Sequence, residues 1–275
     1  MSDQQTGPVL VATNLSARDD RAIDRAVMLA RHRGVELVVV HVVKPGSRKA
    51  EDAERARTEL AEVLPDGVDA RLCLPIGSAP QEITRVAGET GAQMIVTGVA
   101  RFNDIGDYFL GTSVDHILRH AKVPVLVVKR RPHAPYAKLL AATDLSETSA
   151  GAIAVAGALF PDRRMRVVHG WHVPFAGWQK AVHVRDETET AAKKALIAFV
   201  AESGFPEPLR DRIEPLTLEG GAERAVIDAI ESYRPDLLVL GTQGCGGFRQ
   251  ATLGSTASAL LSSAPCDALV VPPAC

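Results

Sequence analysis

The stretch "PDLLVLGTQGCGGFRQATLGSTASALLSSAPCDALVV", residues 235–271, holds an apolar run, a segment with glycines at 241, 244, 246, 247 and 254, a helix-like run from Ser255, and a second apolar run at 267–271. Two apolar runs of strand length joined by a loop and a helix read as parallel strands with a right-handed crossover. Residues 92–128, "AQMIVTGVARFNDIGDYFLGTSVDHILRHAKVPVLVV", repeat the plan. Gly98 and Gly241 are 143 positions apart, and so are Gly111 and Gly254. One offset held over this length, too long for a solenoid repeat, means a duplicated domain.

The rest of the chain follows the same duplication. "VLVATNLS" (9–16) matches "LLAATDLS" (139–146), and "VVVHVVKP" (38–45) resembles "RVVHGWHVP" (166–174). Between the copies lies "KRRPHAPYAK" (129–138), whose two prolines and clustered charge suit a linker. The expected domains are therefore 1–131 and 137–275. In the second, strands are predicted at 138–143, 165–171, 211–218, 236–241 and 267–271. Helices are predicted from Ser146 or Thr148 to about Phe160, from about Arg185 to Ser203, over "AERAVIDAIESY" (222–233), and from Ser255. In the first helix of the first half Ile23, Ala26, Val27 and Ala30 fall on one face, with Gly34 as the stop. The fold class is α/β: two tandem doubly wound five-stranded parallel-sheet domains, each of strand order 3-2-1-4-5. A ten-unit barrel is set aside by the strand count and the halving.

Composition narrows function. With 275 residues each half can bury a core without staples. A net charge of −2 gives no global field for nucleic acid or membrane. The four cysteines, at 73, 245, 266 and 275, lack zinc-site spacing. No leader-like N-terminus or run of ~20 apolar residues is present. The expectation is a soluble, cytoplasmic protein.

In the order 3-2-1-4-5 the winding reverses between strands one and four, and a crevice opens at their carboxyl ends. In the second half those ends are "ATDLS" (142–146), with Thr143 and Asp144, and the glycine segment, so two distinctive segments about a hundred residues apart converge. Glycines allow close approach of backbone to a ligand, and successive N–H groups form an anion-binding concavity. Gly254, Ser255 and Thr256 stand at a helix N-terminus, where the dipole favours phosphate. Asp144 suits a base, a ribose hydroxyl or a magnesium-bound water. Arg249 is the only nearby cation in sequence, which favours a metal ion accompanying the phosphates. The competing reading is that these glycines serve turns and packing, since the Rossmann and P-loop spacings are both absent.

Gly241, Gly244, Gly254 and Ser255 fit G-x2-G-x9-G-[ST]. With "ATDLS" and the closing "SAPCDALVV", the chain resembles the universal stress protein (UspA) family over nearly its whole length, as two tandem domains. The resemblance implies an adenine nucleotide alpha hydrolase-like fold and, through the glycine pattern, ATP as ligand, with Mg2+ or Mn2+ accompanying its phosphates. It implies that Thr143 and Asp144 lie by the adenine and that Gly170 offers backbone to it. It places Gly241 by the ribose, and Gly244, Gly254, Ser255 and Thr256 on the phosphates. Gly170 replaces the larger apolar residue common there, so the base packs more loosely or uses Trp171. No metal ligand and no catalytic residue is singled out. The implied role is a nucleotide-dependent stress or signalling module with at most slow ATP hydrolysis. The alternatives are a nucleotide-free interaction scaffold and a phosphotransfer enzyme.

The first half departs from the pattern. Arg101 stands at the second glycine position and Asn14 where Asp144 stands. Arg101 either fills the crevice or binds phosphate itself; Asp104 and Asp107 in the same loop argue against a phosphate chain. This half is expected to be structural or to bind something else. His41 and His169 end matching strands, as acid–base groups or as packed, hydrogen-bonded residues. Cys245 is the one thiol placed for redox sensitivity. The connection 172–186 is a lid or a plain surface loop. The fifth strands, 122–129 and 266–272, are edges; the family's single domains dimerise there, which implies an internal pseudo-dimer and leaves a homodimer through other surfaces open.

Overall fold

The computed structural model describes residues 7–16, 20–99, 101–103, 107–109, 111–173, 181–242 and 253–273. The first half runs β1 (Val9–Ala12), α1 (Asp20–Arg33), β2 (Leu37–Val40), α2 (Arg48–Glu51), α3 (Ala53–Glu62), β3 (Arg71–Cys73), α4 (Ala79–Thr90), β4 (Met94–Gly98), β5 (Arg101–Asn103), β6 (Asp107–Phe109), α5 (Thr112–His120) and β7 (Val125–Val128). The second runs β8 (Lys138–Ala142), α6 (Glu147–Leu159), β9 (Arg164–Trp171), α7 (Ala181–Glu202), α8 (Glu207–Arg210), β10 (Ile213–Glu219), α9 (Ala222–Tyr233), β11 (Leu237–Gly241), α10 (Ser255–Ser263) and β12 (Asp267–Val271).

The strands form one ten-stranded sheet, β10-β9-β8-β11-β12-β7-β4-β1-β2-β3. Read inward from its outer edge, each half runs 3-2-1-4-5, and the two are merged into one sheet. The halves merge where β12 pairs antiparallel with β7, Leu269 opposite Leu126. The fifth strands, expected as edges, are thus the centre of the sheet, and β3 and β10 are its edges. Alternation sends successive side chains to opposite faces. Val9 and Val11 join one buried cluster beneath α1, α3, α6, α7 and α8. Leu10 and Ala12 join the other, beneath α4, α5, α9 and α10. Both clusters span both halves, so each face of the molecule is one continuous core. In α1 the predicted inward residues Ile23, Ala26, Val27 and Ala30 are all buried. α7 starts at Ala181, ahead of the predicted Arg185.

The linker does more than connect. Lys129, 1 % exposed, donates through Nζ to Leu261 O and Ala264 O, both at 2.6 Å, at the C-terminal end of α10. Asp267, also 1 % exposed, accepts from Lys129 N at 2.8 Å, Arg130 N at 3.0 Å and the Tyr136 hydroxyl at 2.6 Å. Arg25 of α1 lies 3.6 Å from the same carboxylate and packs its guanidinium over the Tyr136 ring. One carboxylate of the second copy therefore gathers the linker and the first copy's helix. Desolvation lowers the Lys129 pKa to about 8, while the Cys266 thiol is pushed up to about 11 by burial.

Candidate functional site

The crevice comes from where strand pairing stops. β8 pairs with β11 only from Leu139–Leu237 to Ala141–Val239. Each continues with its outer neighbour, Ala142 with Val168 and Gly241 with Val271. The central ladder ends first, and the two strands part. β1 and β4 do the same, pairing from Val9–Met94 to Val11–Val96.

A rigid turn lies at each exit of strand one. Thr143 N donates to Val168 O at 3.0 Å, and Thr143 Oγ1 accepts from Leu145 N at 2.9 Å and lies 2.7 Å from Ser149 Oγ. Asp144 Oδ1 accepts from Ser146 N at 3.1 Å. Ser146 caps α6 by accepting from Ser149 N at 3.2 Å. Leu145 has φ 66°, a left-handed conformation that an L-residue enters at a cost of roughly 1–2 kcal/mol. The first half repeats the device: Leu15 has φ 63°, Leu15 N donates to Thr13 Oγ1 at 3.0 Å, and Ser16 N donates to Asn14 Oδ1 at 2.8 Å. His41 Nδ1 lies 3.0 Å from Thr13 O, and His169 Nδ1 lies 3.1 Å from Thr143 O. A carbonyl only accepts, so both nitrogens carry their proton and brace the turns. Of the two readings of these histidines, the geometry carries the packed, hydrogen-bonded one.

The second crevice, about 240 Å³, is lined by Thr143, Asp144, Gly170, Gly241, Gly254, Ser255 and Thr256. Of the residues proposed from sequence, Gly244 lies outside the described residues, as do Cys245, Gly246, Gly247 and Arg249. The lining residues that sequence reasoning did not propose include Ser149, which bonds Thr143, and Ala222 and Val226 of α9. Periodicity finds α9, but only the sheet order puts its first turn over the crevice. Thr143 also differs from expectation, because its hydroxyl is engaged in the turn and with Ser149.

The two glycines differ in what they leave room for. A Cβ on Gly170 would stand 3.0 Å from both Ala225 Cβ and Gly220 O, and 3.2 Å from Ala222 Cα. This strand position is bare because α9 lies directly on it, a packing reason independent of any base. Trp171, offered from sequence as a substitute packing surface, is 7 % exposed and is not among the residues lining the crevice. Among the described residues a Cβ on Gly254 would meet only Thr242 O, at 3.5 Å, an ordinary contact at an ordinary φ of −58°. No described residue demands glycine there. Gly254 is the N-cap of α10 and gives that helix no side-chain cap, so the helix start is presented bare to the crevice.

The first crevice occupies the matching place at about 1070 Å³, and Asn14, Gly98, Gly111 and Thr112 line it. The segment expected as a loop beside it contains an antiparallel hairpin, with Arg101 of β5 opposite Phe109 of β6. The expectations for the Arg101 and Asp107 side chains and for Asp104 lie outside what is described. No helix among the described residues is long and apolar enough to cross a membrane.

The description "Universal stress protein family" belongs to a family model that matches residues 6–129 and again 135–272. A universal stress protein of Mycolicibacterium smegmatis is 25 % identical over 294 residues, covering 96 % of this chain and 97 % of that one. The structure of a putative universal stress protein from Pseudomonas aeruginosa superposes with a TM-score of 0.71 at 20 % identity, over 99 % of this chain and 96 % of the other. One from Archaeoglobus fulgidus gives 0.65 at 15 % identity, over 98 % and 99 %. At these identities the two structures speak for the fold.

Proposed function

The chain belongs to the universal stress protein family, with one match to the family in each half, and on that premise we propose that its second half binds ATP with a divalent cation. The observation that carries this reading is the bare cap at Gly254: no described residue forbids a side chain there, yet among the described residues the α10 start is left open beside Asp144. A helix N-terminus free of side chain is a phosphate seat. Thr143, Asp144 and Gly170 would take the base, Gly241 the ribose, and Gly244, Gly254, Ser255 and Thr256 the phosphates. Asp144 is the one charged side chain among the described lining residues, so the triphosphate would arrive with its own counter-charge, as Mg2+ or Mn2+. No described residue is placed as a base for rapid hydrolysis, and the protein acts as a nucleotide-responsive stress module. Its domains are 1–131 and 137–275, arranged as a pseudo-dimer about the β7–β12 pair, with further pairing of chains through other surfaces.

The test is titration calorimetry with Mg-ATP on wild type and Gly254→Val. Wild type binds in the second half and the variant loses at least tenfold in affinity with an unchanged urea midpoint. Equal binding by the variant removes this reading of the site, and no binding by wild type favours a nucleotide-free scaffold.

A further inference from the structure

We propose that the first crevice is a separate binding site for an organic polyphosphate whose body is larger than one nucleoside, held by Lys44, Arg48 and Lys49 without a metal ion. Charge is the first ground. Among the described side chains lining this crevice Lys44, Arg48 and Lys49 are cationic and no carboxylate occurs; Asp104 and the Asp107 side chain, which the sequence sets against a phosphate chain, lie outside the described ones, and the three cations outnumber them. The second crevice has the opposite sign, with Asp144 and no described cation. At the position of Asp144 the first half carries neutral Asn14.

The cations are held in place by backbone. Val43 bridges to Ile76, with Val43 N donating to Pro75 O at 2.8 Å and Gly77 N to Val43 O at 3.0 Å, so the segment leaving β2 is tied to the exit of β3. Ser47 then closes a turn on Lys44 O through both its N–H, at 3.2 Å, and its hydroxyl, at 2.7 Å. Lys44 and Arg48 are exposed and neither forms an ion pair with a described carboxylate. Lys49 Nζ lies 2.8 Å from Glu59 Oε2, but Arg55 also holds Glu59, at 3.2 Å. An exposed pair of this kind is worth about 1 kcal/mol or less, so Lys49 exchanges Glu59 for a phosphate readily.

Size is the second ground. Pockets that enclose a whole small ligand run from about 300 to 1,000 Å³. At about 1070 Å³ the first crevice reaches the top of that range, and at about 240 Å³ the second falls below it. Part of the difference is local: Val42 follows His41 as Gly170 follows His169, so the first crevice carries a side chain where the second has none. Between the cationic turn and the opposite wall lie apolar side chains, Val42, Ile83, Val99 and Val114, which suit an uncharged body.

The experiment uses the full chain in EDTA at low salt, with diadenosine tetraphosphate as probe and inorganic tripolyphosphate as the phosphate-only control. One equivalent of the dinucleotide binds, at least tenfold tighter than tripolyphosphate. Binding persists in Gly254→Val and weakens at least tenfold in the double variant Lys44→Glu/Arg48→Glu, whose exposed positions leave the urea midpoint unchanged. It also weakens with added salt. Four results overturn the proposal: no binding in EDTA, loss of binding in Gly254→Val, binding indifferent to the charge reversals, or tripolyphosphate binding as tightly as the dinucleotide. Because the second site is read out with Mg-ATP, either reading can fail alone.

Discussion

The two crevices share a backbone and differ in contents. Both open where the ladder between strands one and four ends, and both are braced by a left-handed leucine and a histidine bonded to the threonine carbonyl. Yet one is small with a carboxylate and the other large with three cations. Duplication copies the scaffold faithfully because the scaffold is made of main-chain hydrogen bonds and buried apolar side chains. The charges that distinguish the contents, Asp144 in one copy and Lys44 and Arg48 in the other, are exposed, so the copies can diverge there without loss of fold.

The sharpest test of whether the copies act as one body is Asp267→Ala. Its first-half counterpart is Pro124, so this carboxylate is unique to one copy. Removal leaves the Lys129 and Arg130 N–H groups and the Tyr136 hydroxyl without their acceptor, and Arg25 without this ion-pair partner. A loss of about 3–5 kcal/mol is expected from urea unfolding. A loss below about 1 kcal/mol would mean that the β7–β12 ladder alone holds the halves together.

Gly170→Val, which copies Val42 into the second half, forces side-chain atoms against Gly220 O and Ala225. It should destabilise by about 1–3 kcal/mol by the same measurement. An unchanged midpoint would show that α9 moves off freely, and would uncouple crevice size from this position.

Alkaline titration addresses the joint again. Lys129 has its pKa lowered from 10.5 to about 8 in the fold. Between these values the unfolded chain binds more protons, so stability rises with pH, by about 1 kcal/mol from pH 8 to 9. Cys266 has the opposite sign: its pKa is raised from 9 to about 11, so above pH 9 the unfolded chain loses the proton first and stability falls. The wild-type curve should rise from pH 8 and flatten above 9, and Lys129→Met should lack the rise. A variant curve parallel to wild type would remove Lys129 as the cause.

The smallest effect expected is a match. Leu15→Asn and Leu145→Asn exchange a strained leucine for a residue that tolerates positive φ, at the cost of partial burial. The two should shift stability by amounts within about 0.5 kcal/mol of each other. A larger gap would show that the turns, alike in geometry, are not alike in energy.

Much of this was legible beforehand. The 143-residue offset gives the duplication, and α1 and β12 follow from periodicity and from bounding prolines. The convergence of Asp144 with Gly254 follows from the winding order. Other features were not. The hairpin of β5 and β6 lies in a glycine-poor stretch whose pattern resembles a loop. Lys129 reads as linker charge in "KRRP" and is buried, because only the packing of β7 against α10 shows that helix carbonyls await it. Lys44, Arg48 and Lys49 are hidden in "KPGSRKAEDAER", where acidic neighbours cancel them along the chain but not across the crevice.

By itself the sequence determined two copies of one parallel α/β unit and the segments that meet at each switch point, because strand period, helix period and glycine placement are local properties of the chain. Only the tertiary structure decided that the fifth strands join into a single sheet and that, among the described lining residues, the narrower crevice carries a carboxylate and the wider one three cations. Those outcomes depend on how closely elements such as α9 and the Gly170 strand approach and on which charges meet across a crevice, and both are distances between residues far apart in the chain.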